Sequence, residues 1–180
     1  AIAIIDEHGD ATYQFNTPAA WDGLRLNNQL SNLIDNENDT LYIMGSIAAR
    51  LQSEKDATSA STLRQVRNNA MDGSVVLDIN LRSPWYDPKN VLDLARGESS
   101  NPKKLALLKL NEEELVILED WCDLKATSND LSGEMLKQRM SLLASSLNAN
   151  RICVTRGANG AAIWCEDNAT FYENSGYSLD

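Results

Sequence analysis

From about residue 40 onward, short apolar runs typical of β-strands alternate with longer segments of helical spacing. The clearest run, at residues 74–79, is rich in β-branched residues and is typical of a strand that is covered on both faces. Because parallel strands need a crossover connection, strands that are separated by helices favour a mostly parallel sheet. The alternation therefore predicts an α/β fold with helices on both faces of the sheet.

Apolar spacing, turn residues and capping residues predict the other elements. Residues 1–5 and 11–16 form a predicted β-hairpin around a Glu7-His8-Gly9-Asp10 turn, and a helix is expected from Thr17-Pro18 to about Ile34. Further strands are predicted at 40–44, 105–110, 151–155, 161–165 and 169–173. A helix of undefined length follows Gly45-Ser46, residues 52–61 are a predicted loop, and further helices are expected at about 61–72, 89–97, 111–122 and 132–147.

The charge and the cysteines restrict the partners and the compartment. Sixteen Lys and Arg residues against 26 Asp and Glu residues give a formal net charge of −10, which repels nucleic acids and anionic membrane surfaces. No apolar stretch approaches the length of about 18 residues that a transmembrane helix needs. Cys122, Cys153 and Cys165 lack metal-binding spacing, so we expect free thiols in a reducing cytoplasm.

Small or polar residues follow the ends of four consecutive predicted strands. In open α/β sheets, ligands bind beyond the carboxyl ends of the strands, so these residues are candidates for a binding site. Arginine, asparagine, glutamate, threonine and glycine amides together suit a phosphate group and its Mg²⁺. The residues are Gly45-Ser46, Asn80 with Arg82, Asn111 with Glu114, and Thr155 with Gly157 and Gly160.

Each of these groups also has a purely structural interpretation. Asn111 and Glu114 have the spacing of a helix capping box. Residues 155–160 contain Asn-Gly, the strongest short hairpin signal, and a strand rather than a helix follows them. Arg82 is close in sequence to Trp85, whose ring suits a surface guanidinium. Only their joint placement at strand ends favours a ligand site.

Three of these segments resemble motifs of the ribokinase (PfkB) family of sugar kinases, most closely those of its fructokinase-like members. The sequence Asp78-Ile79-Asn80-Leu81-Arg82 with Trp85 resembles the family's D-x-N-x-R…W segment. Asn111-Glu112-Glu113-Glu114 resembles its N-x-x-E motif, and Thr155-Arg156-Gly157-Ala158-Asn159-Gly160 resembles its T-x-G-x-x-G motif. The resemblance implies a ribokinase-like, Rossmann-like fold and transfer of a phosphoryl group from ATP to a sugar.

The resemblance also implies a role for each matching residue. Arg82 would act on the transferred phosphoryl group, with Asn80 beside it in contact with the nucleotide. Asn111 and Glu114 would hold Mg²⁺ through water and bind the nucleotide phosphates. Thr155, Gly157 and Gly160 would bind ATP. Tyr13, Phe15 and Asn16, in the first hairpin, would touch the sugar, and that hairpin would act as a lid that also joins two subunits into a homodimer.

Some family features are absent from the sequence. It contains neither the G-A-G-D segment, which carries the family's catalytic aspartate, nor the N-terminal glycine-rich sugar-binding segment. Residues 1–16 are therefore expected to be a lid-side hairpin, and residues 17–180 a kinase core truncated at both ends and nearly inactive alone. The alternatives are a nucleoside kinase of the same fold and a non-catalytic module for nucleotide binding or association.

Overall fold

The computed structural model describes residues 2–5, 11–16, 19–27, 40–50, 58–100, 102–125 and 131–177. The predicted hairpin is present as a separate two-stranded antiparallel sheet of β1 (Ile2–Ile5) and β2 (Ala11–Gln14). Ile2 pairs with Gln14, and Ile5 pairs with Ala11. The predicted turn at residues 7–10 lies outside the described residues.

The main sheet has six strands in the order in which they occur along the chain. The first four are parallel, while the last two run antiparallel to their neighbours. This arrangement confirms the predicted α/β class with a mostly parallel sheet. The strands are β3 (Tyr42–Gly45), β4 (Val75–Asp78), β5 (Leu105–Asn111), β6 (Arg151–Thr155), β7 (Ala161–Cys165) and β8 (Thr170–Asn174).

Four α-helices of the described residues connect these strands: α1 (Thr58–Asn69), α2 (Pro88–Arg96), α3 (Glu112–Trp121) and α4 (Gly133–Leu147). The Asp87 carboxylate caps α2 by accepting a hydrogen bond from the Asn90 N–H at 2.8 Å, and Pro88 occupies the first turn. The helices predicted at about 61–72, 89–97, 111–122 and 132–147 are confirmed, except that α1 begins at Thr58, inside the predicted loop. No helix among the described residues combines the length and the apolar character needed to cross a membrane.

The predicted helix from Thr17 to Ile34 is wrong where the structure can be compared with it. Residues Ala20–Gly23 form a 3₁₀-helix, and residues 24–27 are not helical, while residues 17–18 and 28–39 lie outside the described part. The Asp22 carboxylate turns back to accept the Ala19 N–H at 2.7 Å and also binds Arg50 at 2.8 Å. These contacts hold a single tight turn, which the chain leaves after Gly23.

One hydrophobic core joins the helices to one face of the main sheet. Along β4, β6 and β7, alternate residues point to this face and are less than 9% exposed. The buried strand residues include Met44, Leu77, Leu108, Ile152 and Trp164. The helices contribute Leu63, Leu94, Leu118, Met140 and Leu143.

The opposite face of the sheet carries no helix among the described residues. Ile43 on β3 is 79% exposed, and Tyr172 on β8 is 62% exposed. An Asp78–Lys109 ion pair at 3.0 Å lies on the same face, between β4 and β5. Partial burial raises the pKa of the neighbouring Cys153 thiol, and Lys109 opposes this shift. The helices among the described residues therefore cover one face of the sheet, whereas helices on both faces were expected. The Cys153 thiol remains protonated near neutral pH.

Buried arginine side chains link the helices to neighbouring segments through hydrogen bonds. Arg139 on α4 donates two hydrogen bonds to the Glu119 carboxylate on α3, at 2.6 and 2.8 Å, and both side chains are 5% exposed. Arg67 on α1 donates to the Ala95 carbonyl at 3.0 Å and to the Lys103 carbonyl at 2.7 Å. Burial lowers the pKa of Arg67. These guanidinium groups fix how the helices meet.

The Arg139→Ala substitution should lower the free energy of unfolding by about 3 kcal/mol, because the Glu119 carboxylate would remain buried without its partner. Urea denaturation measures this loss. Lys137→Ala is the matched control on the same helix, since its partner Glu134 is 85% exposed and exposed pairs contribute little. Equal losses of unfolding free energy in the two variants would show that the buried pair contributes no more to stability than the exposed one.

Candidate functional site

The carboxyl ends of the parallel strands bring the predicted site residues to one edge of the main sheet. In the strand register, Gly45 lies beside Asp78, and Asn111 lies beside Thr155. The D-x-N-x-R segment continues directly from β4, while the N-x-x-E segment begins at the last residue of β5. Three segments that are far apart in sequence therefore meet at this edge.

The Glu114 carboxylate connects two of these segments. One of its oxygens accepts the Leu81 N–H at 2.7 Å, and the other accepts the Asn111 N–H at 2.9 Å. In return, the Asn111 side-chain oxygen accepts the Glu114 N–H at 2.8 Å, which completes the predicted capping box. Glu114 is 6% exposed. The same carboxylate therefore begins α3 and holds the loop that leads to Arg82.

The loop after β4 places Arg82 beside the hairpin. Asn80 adopts a left-handed backbone conformation with a φ of 42°, which turns the chain after the strand. The Arg82 guanidinium lies over the Tyr13 ring, 4.8 Å from its centroid. Among the described residues, the guanidinium has no hydrogen bond or ion pair, so its N–H donors are available to a ligand.

The T-x-G-x-x-G segment forms a tight turn between β6 and β7. Residues Gly157–Asn159 make a 3₁₀ turn, and the Arg156 N–H donates to the Gly160 carbonyl at 2.8 Å. Gly160 has a φ of +84°, and a Cβ there would lie 2.1 Å from the Asn174 carbonyl oxygen. Gly157 has a φ of +52°, and open space surrounds its Cβ position. Gly160 is thus required for packing, while Gly157 leaves room for a ligand.

A cavity of about 460 Å³ lies next to this turn. Arg156 lines it and is held by the Glu173 carboxylate at 2.5 Å, the Asn159 carbonyl at 2.8 Å and the Leu131 carbonyl at 3.1 Å. Thr155, just before the turn, donates its hydroxyl to the Leu110 carbonyl at 3.4 Å. Ala158 and Asn159 of the turn line the cavity, as does Glu112 at the start of α3.

The hairpin residues predicted to touch a sugar have different surroundings. The Tyr13 and Phe15 rings are stacked with centroids 6.4 Å apart, and both residues are half-buried. Phe15 also meets the edges of Trp21 and Trp85, at centroid distances of 5.8 and 6.3 Å. Asn16 is exposed after the end of β2. Tyr13 therefore reaches Arg82, while Phe15 belongs to an aromatic cluster.

Sequence reasoning missed the buried ion pair that supports this aromatic cluster. Arg50 binds Asp22 through contacts of 2.6 and 2.8 Å, and each side chain is 1% exposed. The Arg50 guanidinium also lies 5.9 Å from the Phe15 centroid and 5.5 Å from that of Trp21. No spacing in the sequence identifies this pair, because its members lie in two different irregular segments.

The oxygen ligands at this edge of the sheet can hold Mg²⁺ only if water molecules complete its coordination. Among the described residues, no three His, Cys, Asp or Glu side chains are grouped closely enough to hold a metal ion. Each Glu114 oxygen already accepts one N–H but keeps a further lone pair, and the Asn111 side chain is exposed. Carboxylate and amide oxygens of this kind suit a hydrated Mg²⁺.

The fold is that of known sugar kinases. Fructokinase from Xylella fastidiosa is similar over 98% of this chain and 49% of its own, with 16% identity and a TM-score of 0.63. A structure of that enzyme with bound ATP gives the same TM-score at 14% identity, and the similarity covers 99% of this chain and 49% of the fructokinase chain. Ribokinase from Thermotoga maritima is similar over 98% of this chain and 48% of its own, with 12% identity and a TM-score of 0.56. This chain therefore has the ribokinase-like fold and spans about half the length of these enzymes.

These similarities are structural. No family model matches the sequence, and no curated protein sequence matches it. The fold expected from the three motifs is thus confirmed by structure alone, at identities between 12% and 16% for the enzymes described above. The roles of individual site residues remain predictions.

Glu114→Gln should lower the free energy of unfolding by about 1–2 kcal/mol. The carboxylate accepts two backbone N–H groups, and the amide NH₂ of glutamine would face one of them, so that one hydrogen bond is lost. Faster hydrogen exchange at the Leu81 and Asn111 amides should accompany the loss. Glu113→Gln, on the exposed side of the same turn, is the control and should leave both measurements unchanged. Unchanged exchange in Glu114→Gln would show that the carboxylate does not hold the loop.

Proposed function

We propose that this chain forms the nucleotide-binding side of a kinase that transfers a phosphoryl group from ATP to a hydroxyl group of a sugar. The observation that carries the proposal is the Glu114 bridge, which brings the Arg82 loop and the Asn111 segment together at one edge of a ribokinase-like sheet. Fructokinase and ribokinase, the enzymes with similar structures, support a sugar as the acceptor. A nucleoside acceptor is the alternative within the same fold.

Arg82 would stabilise the negative charge on the transferred group. Phosphoryl transfer relies mainly on positioning and on electrostatic stabilisation of the phosphoryl oxygens. The Arg82 guanidinium has no hydrogen-bonding partner among the described residues, and Asn80 directs the loop that carries it. This positive charge would also reduce the repulsion between ATP and a chain of net charge −10.

The T-x-G-x-x-G turn would contact the nucleotide beyond its phosphates. The open space at Gly157 allows a ligand to approach the backbone closely, and the adjoining cavity of about 460 Å³ is large enough for part of a nucleotide. Gly160 would contribute by keeping the turn against the Asn174 backbone. Thr155, whose hydroxyl is held by the Leu110 carbonyl, would face the phosphate side.

Mg²⁺ would be held through water by Asn111 and Glu114. When bound, it would neutralise charge on the ATP phosphates. Glu114 would act mainly through the positions of the two amides that it accepts, since its carboxylate is 6% exposed. We place this chemistry in the cytoplasm, where free thiols such as the three in this chain remain reduced.

The isolated 180 residues should bind MgATP, and Arg82→Ala should weaken that binding by about tenfold or more, because charge-assisted hydrogen bonds are lost. Isothermal titration at low salt measures the dissociation constants. Arg151→Ala is the matched control, since Arg151 begins β6, at the opposite edge of the sheet, and pairs with Asp167. Equal binding by wild type and Arg82→Ala would overturn the proposed site.

Sugar-dependent ADP release by the isolated chain should be close to background, because the sequence has no G-A-G-D segment to supply a catalytic base. Fructose, ribose, 2-keto-3-deoxygluconate and adenosine are suitable acceptors, and adenosine tests the nucleoside alternative. Robust turnover with any of them would show that the 180 residues contain a base and would identify the acceptor class.

We also propose that the hairpin joins two copies of the chain. β1 pairs only with β2 among the described residues, which leaves its other edge open. Three isoleucines on β1 are exposed: Ile2 by 58%, Ile4 by 49% and Ile5 by 68%. Ile2 and Ile4 share one face of the hairpin, which a second hairpin would cover together with the open edge.

Sedimentation velocity should show a dimer of the wild type and a monomer of Ile4→Lys, because a buried lysine would break the apolar contact. The control is Ile43→Lys on the open face of the main sheet, where the side chain is 79% exposed. That variant should remain dimeric. Dissociation by Ile43→Lys alone would place the association on the sheet face, and a monomeric wild type would overturn the proposal.

A further inference from the structure

The Arg82 guanidinium is held by one aromatic ring. The guanidinium lies over the Tyr13 ring of the hairpin, 4.8 Å from its centroid, and no described residue accepts a hydrogen bond from it. A cation–π contact restricts where the guanidinium lies and leaves its N–H groups available as donors. Tyr13 therefore restricts the position from which Arg82 presents its donors.

Tyr13 is itself held by the aromatic cluster of Phe15, Trp21 and Trp85. Its ring stacks on Phe15 at an interplanar angle of 16°, and Phe15 contacts Trp21 and Trp85 edge-on. Arg50, 5.9 Å from the Phe15 ring, is anchored by the Asp22 ion pair. Both charged side chains are 1% exposed, so this anchor belongs to the rigid interior.

A continuous series of contacts thus runs from the interior to Arg82. It passes from the Asp22–Arg50 pair to Phe15, then along β2 to Tyr13, and then across to Arg82. The Glu114 carboxylate fixes the loop carrying Arg82 from the other side, through the Leu81 N–H. Arg82 therefore lies between two supports, one from the sheet edge and one from the hairpin.

We propose that Tyr13 is a positioning residue that couples the docked position of the hairpin to anion binding by Arg82. This inference rests on the proposed function, since it takes a phosphate group as the ligand of Arg82. In the free protein, the Tyr13 ring holds the Arg82 guanidinium in the position in which it binds phosphate. Because coupling between two equilibria is reciprocal, a bound phosphate also holds the hairpin in its docked position. Tyr13 acts through Arg82 and needs no contact with the sugar.

Tyr13→Leu should weaken MgATP binding about threefold to tenfold, the range expected for a lost cation–π contact. Tyr13→Phe, which keeps the ring, should bind within about twofold of wild type. In the Arg82→Ala background, Tyr13→Leu should have no further effect, because the group through which it acts is absent. Isothermal titration of MgATP into the 180-residue chain measures all four variants.

The matched control is Tyr172→Leu, which removes a tyrosine that is 62% exposed on β8 and should leave binding unchanged. Hydrogen exchange gives a second measurement on the same variants. MgATP should slow exchange at residues 11–16 in the wild type and in Tyr13→Phe, but not in Tyr13→Leu. Circular dichroism checks that the core, which includes no hairpin residue, remains folded.

The outcomes separate this inference from the proposed function. If Arg82→Ala weakens binding and Tyr13→Leu does not, the positioning role is wrong and the nucleotide site stands. If Tyr13→Leu weakens binding equally in both backgrounds, Tyr13 contacts the ligand independently, and the coupling is wrong. Undetectable binding by the wild type, or binding that is unaffected by Arg82→Ala, overturns both.

Discussion

The bridge formed by the Glu114 carboxylate is the interaction on which the candidate site depends. It accepts one N–H from its own helix start and one from the loop after β4, at 2.9 and 2.7 Å. A carboxylate that is 6% exposed needs such partners, and here they are backbone N–H groups 3 and 33 positions before it in the sequence. The position of Arg82 follows from that bond and from the Tyr13 ring.

The main sheet explains why these segments meet. Parallel strands β3 to β6 end at the same edge, and one apolar core against α1 to α4 fixes their register. The opposite face, with Ile43 79% exposed, has no helix among the described residues. The enzymes with similar structures are about twice as long as this chain, which spans 49% of the fructokinase. The edge that carries the candidate site therefore belongs to a sheet of which the described helices cover one face.

Local patterns predicted most of the fold because they depend on residues that are close in sequence. The strand run at 74–79, the helix starts near residues 89 and 111 and the Asn159-Gly160 turn all appear as predicted. The helix expected from Thr17 to Ile34 is wrong over its described residues, because Asp22 binds Arg50 and holds a 3₁₀ turn. A distant partner there outweighed a weak helical pattern.

The sequence by itself determined the order and type of most elements, the fold class and the segments at the carboxyl ends of the strands. Only the tertiary structure decided that Glu114 bridges Leu81 and Asn111, that Arg82 lies over the Tyr13 ring, and that Gly160 serves packing while Gly157 stays open. Periodicity and capping act over a few residues and are therefore visible in the chain. Contacts between distant residues arise only when packing brings their elements together, so no local pattern records them.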